Sequence, residues 1–158
     1  PFSTCVELEP ELVFELAQHP NIVSIKDTSD MIHTCQCIAL TRHMEDFTVF
    51  QGYEHTILPA LAAGADGGFA ILMNALPKEY VKLYQLTREN RWAEAADFNM
   101  SMADLYTAME AEPYPAPVKA AMELIGIPGG CVRNPLVNAS DELIAKMKKA
   151  LVELGYKL

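Results

Sequence analysis

Apolar residues switch between helical and strand spacing through the first half of the chain. Glu9-Pro10 opens a helical segment that sets Leu12, Val13, Leu16 and Ala17 against Glu11, Glu15 and Gln18. Proline suits a first helical turn, and His19-Pro20 closes the segment. Ile22 to Ile25 is short and β-branched and reads as a strand running on to Lys26. Ser29 or Asp30 then caps a helix with Met31, Ile32, Cys35, Ile38 and Ala39 on its apolar stripe. Phe47 to Phe50 is a second strand, stopped by Gly52. Glu54 to Ala63 predicts a helix with Ile57, Leu58, Leu61 and Ala62 inward and Gly64 as its C-terminal stop. Asp66-Gly67 turns the chain into a third strand, Gly68 to Leu72. Helix and strand thus follow one another three times over short connections, the mark of a parallel α/β sheet.

From Pro77 the pattern is helical only, with segments expected at about 77–89, 91–111, 117–126 and 140–154. Ser140 is a good N-cap, and Gly126 and Gly155 lie just past helix ends. The connection 127–135 is rich in turn residues and expected to be ordered. Three parallel strands do not close, and an open sheet would leave two unpaired edges. The GxGxxG turn of a doubly wound sheet is absent, and Gly64 to Gly68 leads from helix to strand, the wrong order for a phosphate cradle. The expectation is the C-terminal part of a (β/α)8 TIM barrel, a fold of about 250 residues. Residues 1–76 would be the back of the barrel and 77–158 its last helix and a C-terminal helical extension. The front half would lie outside this chain, which opens on Pro1 and not on Met.

Composition narrows the function. The chain has 158 residues, 51% of them hydrophobic and 21% charged, which excludes a disordered chain. Its net charge of -9, with no basic cluster, makes nucleic acid and anionic membrane poor partners. No apolar run reaches the roughly 18 residues that span a bilayer. A cytoplasmic globular protein is expected. Cys5, Cys35, Cys37 and Cys131 form no CxxC pair and read as reduced thiols. His33 and Cys37 would share a helix face, but two ligands fall short of a zinc set, so no metal is expected.

Lys26 is the candidate for chemistry. Strand alternation places Ile22, Ser24 and Lys26 on one face and Val23 and Ile25 on the other. With Val23 and Ile25 toward the helices, Lys26 points into the barrel at the C-terminal end of its strand, where barrel enzymes carry catalytic groups. Gly68 and Ala70 would face inward beside it, with Phe69 and Ile71 outward. An amine held there out of water is favoured in its neutral, nucleophilic form. From the pattern alone, a solvated lysine paired with Asp27 fits equally well.

The run His19-Pro-Asn-Ile-Val-Ser-Ile-Lys-Asp-Thr-Ser29 resembles the Schiff-base strand of the dihydrodipicolinate synthase / N-acetylneuraminate lyase family. Gln51-Gly-Tyr-Glu54, Ala62-Ala-Gly-Ala-Asp-Gly-Gly68 and Asn74 resemble its seventh and eighth strands. Pro115-Ala-Pro-Val-Lys119, Gly126 and Arg133-Asn-Pro-Leu136 resemble its C-terminal helical region. The resemblance spans nearly the whole chain. It implies a (β/α)8 barrel, usually tetrameric, whose members make or break carbon–carbon bonds of 2-oxo acids, commonly pyruvate, with an aldehyde partner. Lys26 would be the imine-forming lysine, and neither metal nor organic cofactor would be needed.

The same resemblance identifies Pro1 with the proline of a Tyr-Asn-x-Pro segment at the end of strand five. The proton-relaying tyrosine and its Thr-Thr partners would then lie outside this chain, and the chain alone should be inactive. Substrate contacts are expected from Ser3, Thr4, Gly52, Glu54, Gly68 and Ala70. Ser3 stands where the synthases carry a carboxylate-holding arginine. Gly52-Tyr-Glu54 is similar to the Gly-Tyr-Asp of neuraminate lyases, whereas Ile71 replaces their serine. Glu54 is equally well explained as a favourable charge at a helix N-terminus. Lys119 and Arg133 would tie the C-terminal helices to the barrel, and Met31, Met100, Met102 and Met109 would fill core or interface. Two other readings remain open: a non-catalytic half-barrel that assembles with or binds a partner, and a sugar-acid aldolase of the 2-keto-3-deoxy acid or neuraminate type.

Overall fold

A computed structural model of the chain describes residues 4–158. It divides into two compact units, Pro1–Ala70 and Ile71–Leu158. The first contains α1 (Pro10–Ala17), β1 (Ser24–Asp27), α2 (Met31–Thr41), β2 (Thr48–Gln51), a 3-10 turn (Glu54–Thr56), α3 (Ile57–Ala63) and β3 (Gly67–Gly68). The strands are parallel and ordered β1-β2-β3, with Lys26 opposite Phe50, Asp27 opposite Gln51 and Gln51 opposite Gly68. The core gathers Val13 and Ala17 of α1, Cys37 and Ile38 of α2, Phe47, Val49, Ala60 and Ala65, with Ile22, Ile25, Met31 and Met44 packed on it. Asp30 caps α2 by accepting from the His33 backbone N–H at 2.9 Å. Gly64 ends α3 at φ 107°, a left-handed conformation that glycine adopts without a Cβ clash.

The helix faces differ from the apolar stripes expected. On α1 the buried set is Pro10, Val13 and Ala17, while Leu12 and Leu16 are exposed. On α2 the buried set is His33, Thr34, Cys37, Ile38 and Thr41, while Ile32, Cys35 and Ala39 are exposed. The cause is Asp27, whose buried carboxylate draws His33 and Thr34 inward. On α3, Ile57 and Ala60 are buried and Ala62 is exposed. The strands also begin later than the β-branched residues suggest, at Ser24 and Thr48. Ile22 precedes β1 and packs on the core, so it does not share the Ser24 and Lys26 face. The third strand ends at Gly68, and Leu72–Asn74 forms a 3-10 turn in place of its expected end.

The second unit is helical: α4 (Pro77–Arg88), α5 (Trp92–Ser101), α6 (Ala103–Glu110), α7 (Ala116–Leu124) and α8 (Asp141–Glu153). Leu83, Met102, Leu105, Tyr106, Met109, Met147 and Leu151 are almost fully buried. Ser140 caps α8, accepting from the Leu143 N–H at 3.2 Å. The single helix expected over 91–111 is two helices that meet at Met102, where ψ flattens to -1° at φ -98°. Ser101 Oγ donates to the Phe98 carbonyl at 2.6 Å, a local bond that competes with the helical ladder. Among the described residues no helix is long and apolar enough to cross a membrane.

Candidate active site

Lys26 is the third residue of β1, near its C-terminal end, with Asp27 after it. Alternation turns the two side chains to opposite sides of the sheet. Asp27 is buried and faces α2. Its Oδ1 accepts from the Ser29 N–H at 3.0 Å, and its Oδ2 accepts from Thr34 Oγ1 at 2.6 Å and lies 3.1 Å from His33 Nδ1. Engaged in this way, Asp27 does not pair with Lys26. Lys26 itself is exposed, as is Ser24 on the same face, so the expected burial of the amine is not found in this chain.

A buried polar chain links β1 to the turn after β2. Gln51 is fully buried, and its Nε2 donates to Thr34 Oγ1 at 2.9 Å. Its Oε1 accepts from the N–H groups of Gly52 and Tyr53 at 2.7 and 2.8 Å. The Gly52 N–H also lies 2.7 Å from the Asp27 carbonyl. Asp27, Thr34 and Gln51 therefore fix the height of the Gly52–Glu54 turn against the Lys26 strand. Glu54 is 2% exposed and opens the 3-10 turn Glu54–Thr56, a buried carboxyl at a helical N-terminus.

Gly52 is where the lysine chain crosses the turn. A Cβ at this position would stand 2.9 Å from Lys26 Cε and 2.1 Å from Thr28 Oγ1. The amine then reaches Phe69, with Nζ 5.4 Å from the ring centroid, within cation–π range. This corrects the outward placement of Phe69. The strand ends at Gly68, so its alternation does not extend to the next residues.

The structure brings Lys26 and Gly52 into direct contact, and Gly68 beside Gln51 in the neighbouring strand. Ala70 is buried. Thr4 is exposed, and its hydroxyl lies 3.1 and 3.3 Å from the carbonyl and N–H of Val6. Ser3 and Pro1 lie outside the described residues. Sequence reasoning missed Thr28, Phe69 and the chain through Thr34 and Gln51. The available signal was Asp27 followed at helical spacing by His33, Thr34 and Cys37, a polar stripe that needs an internal partner.

His33 and Cys37 do share a face, with Sγ 3.7 Å from Nδ1. Burial pushes the Cys37 thiol up to about 11, helped by Asp27 and Glu11, so it stays protonated at neutral pH. Among the described residues no group of three His, Cys, Asp or Glu could hold a metal ion. In the helical unit, Lys119 Nζ donates to the Gly129 carbonyl at 2.6 Å, and Glu123 Oε1 accepts from the N–H groups of Gly129 and Gly130. Lys119 thus holds the 127–135 connection to α7.

Comparison with known proteins gives the family and the fold. The model of the dihydrodipicolinate synthetase family matches residues 1–154. The 4-hydroxy-tetrahydrodipicolinate synthase of Methanoculleus marisnigri is 38% identical over 156 residues, covering 98% of this chain and 53% of that protein. That of Methanospirillum hungatei is 34% identical over 152 residues, covering 96% of this chain and 52% of the relative. Among solved structures, dihydrodipicolinate synthase of Thermotoga maritima superposes with a TM-score of 0.90 at 29% identity, over 96% of this chain and 52% of that one. YagE of Escherichia coli K12, a prophage protein of the dihydrodipicolinic acid synthase family in complex with pyruvate, gives 0.84 at 28%, over 94% and 51%. The chain spans about half the length of the relatives it matches. The three parallel strands with their helices are the C-terminal part of a (β/α)8 barrel followed by a helical extension, as the sequence led us to expect.

Proposed function

The chain belongs to the dihydrodipicolinate synthetase family, and on that footing we propose that it is the back part of a Schiff-base lyase, or aldolase, acting through Lys26. The observation that carries the reading is the place of Lys26, near the C-terminal end of β1 with its methylenes laid over Gly52. Barrel enzymes carry their catalytic groups at that end of their strands. The unprotonated amine attacks C2 of pyruvate or another 2-oxo acid, the carbinolamine loses water, and a protonated imine replaces the carbonyl. Loss of a proton from C3 gives an enamine, whose C3 bonds to the carbonyl carbon of an aldehyde. In reverse, breakage of that bond leaves its electron pair on the same imine. Hydrolysis returns the amine and the 2-oxo acid, and neither a metal nor an organic cofactor is required.

Ser3, Thr4, Gly52, Glu54, Gly68 and Ala70 contact the substrate in this reading. By the family resemblance, the acid/base tyrosine comes from the front half of the barrel, so this chain alone supplies the nucleophile and does not turn over. Residues 1–76 form the back of the barrel and 77–158 its last helix and extension, within a cytoplasmic homotetramer. With Ser3 at the position of the carboxylate-holding arginine, retro-aldol cleavage of a hydroxylated 2-oxo acid is favoured over condensation of pyruvate with aspartate semialdehyde.

Lys26→Ala and Lys26→Arg in the complete protein test this reading. Both should lose cleavage of the carbon–carbon bond, because an arginine guanidinium stays protonated and forms no imine. Undiminished turnover in either variant overturns it.

A further inference from the structure

We propose that His33, as the imidazolium, is a positioning residue that clips the segment leading into α1 onto the strand that carries Lys26, an inference that rests on Lys26 being the imine-forming residue. The ring lies between two elements. Nδ1 is 3.1 Å from Asp27 Oδ2 on β1, and Nε2 is 2.7 Å from the Leu8 carbonyl oxygen. Both neighbours accept hydrogen bonds. A neutral imidazole has one N–H and one lone pair, so it can serve only one of them. The doubly protonated ring donates to both.

The surroundings favour that form. Asp27 faces the ring from β1, Glu7 from the segment before α1, and Cys37 from α2. Asp30 accepts from the His33 backbone N–H, and Glu11 of α1 acts on the adjoining Cys37. None of these groups is a cation. Burial alone would lower the proton affinity of the ring, but the Leu8 carbonyl and the Asp27 carboxylate outweigh it, and the pKa is raised above the ordinary histidine value. The neutral ring keeps its one N–H on Nδ1 for the Asp27 carboxylate, the stronger acceptor, and the bare Nε2 then releases the Leu8 carbonyl.

The consequence falls on the site. Asp27 is joined to Lys26 through one peptide bond, and Leu8 lies four residues past Thr4. The clip therefore sets the Lys26 strand against the segment that leads to Thr4 and Ser3. Because the folded pKa is raised, the clip is complete below the ordinary histidine range and opens as pH rises through the raised value.

The test follows borohydride trapping of the pyruvate adduct in the complete protein across the pH range in which His33 titrates, with His33 read by NMR. The trapping rate should carry a step down of about tenfold as His33 loses its proton, the size of one charge-assisted hydrogen bond. Amide exchange over residues 4–9 should quicken at the same pH, and His33→Gln should show neither step. The same step in His33→Gln, or a His33 titration that moves neither trapping nor exchange, overturns the proposal. If His33→Gln does not fold, the coincidence of the three curves in the native protein decides. If no adduct forms on Lys26 at any pH, the Lys26 reading falls, and exchange over 4–9 alone shows whether His33 closes the clip.

Discussion

Gly52 packs directly beneath Lys26: a methyl at residue 52 would stand 2.9 Å from Lys26 Cε and 2.1 Å from Thr28 Oγ1. Lys26 Cε and Thr28 Oγ1 belong to side chains that can turn aside, but Thr28 Cβ, 3.0 Å away, must give by a few tenths of an ångström. Gly52→Ala should therefore cost about 1–3 kcal/mol of stability while displacing the amine. The expected result is a lowered denaturant midpoint together with, in the folded protein, adduct formation slowed about tenfold, since small misplacements weigh heavily on reactivity. An unchanged trapping rate would show that the lysine does not depend on this contact.

Thr34 is the hinge of the buried polar chain, donating to Asp27 and accepting from Gln51. Thr34→Val keeps the shape but leaves Asp27 Oδ2 short of a donor and Gln51 Nε2 short of an acceptor. A loss of about 1–3 kcal/mol should follow, and Thr34→Ser should recover most of it. Urea unfolding of the three proteins checks the order, and a Thr34→Val protein as stable as the native one would contradict the network.

Much of the fold was legible from spacing and punctuation. Pro10, Asp30, Gly64, Pro77 and Ser140 each mark a helix end for a local reason, a fixed φ, a cap or a left-handed turn, and each stands where expected. Which face of α2 is buried was not legible. Ile32 and Cys35 look like core residues, yet a buried carboxylate at Asp27 outweighs them by bringing His33 and Thr34 inside. The break at Met102 was hidden for a similar reason, because it depends on local polar bonds inside an otherwise good helical pattern. Of the site, Lys26 and Gly52 could be read from motif and alternation. Phe69 and Thr28 could not, since their approach to Lys26 depends on where β3 stops and how the Gly52 turn folds.

Cys37 is fully buried and its pKa is pushed up to about 11, whereas Cys5, Cys35 and Cys131 are exposed. At neutral to mildly alkaline pH almost none of Cys37 is thiolate, and the thiolate is the reactive form. Iodoacetamide should label Cys37 last, at a rate that climbs with pH toward that value and jumps when the protein is unfolded. Rapid labelling of Cys37 in the native protein would contradict its burial and its contact with His33.

The central claim is that one lysine forms the imine. Incubating the complete protein with pyruvate and borohydride, digesting it and weighing the peptides tests this most directly. Seven further lysines, Lys78, Lys82, Lys119, Lys146, Lys148, Lys149 and Lys157, all belong to the second compact unit, whereas Lys26 and Gly52 belong to the first. The account predicts one adduct per chain, on the peptide that contains Ile25, Lys26 and Asp27, and none in Lys26→Ala. An adduct on another lysine, or no adduct at all, would contradict it.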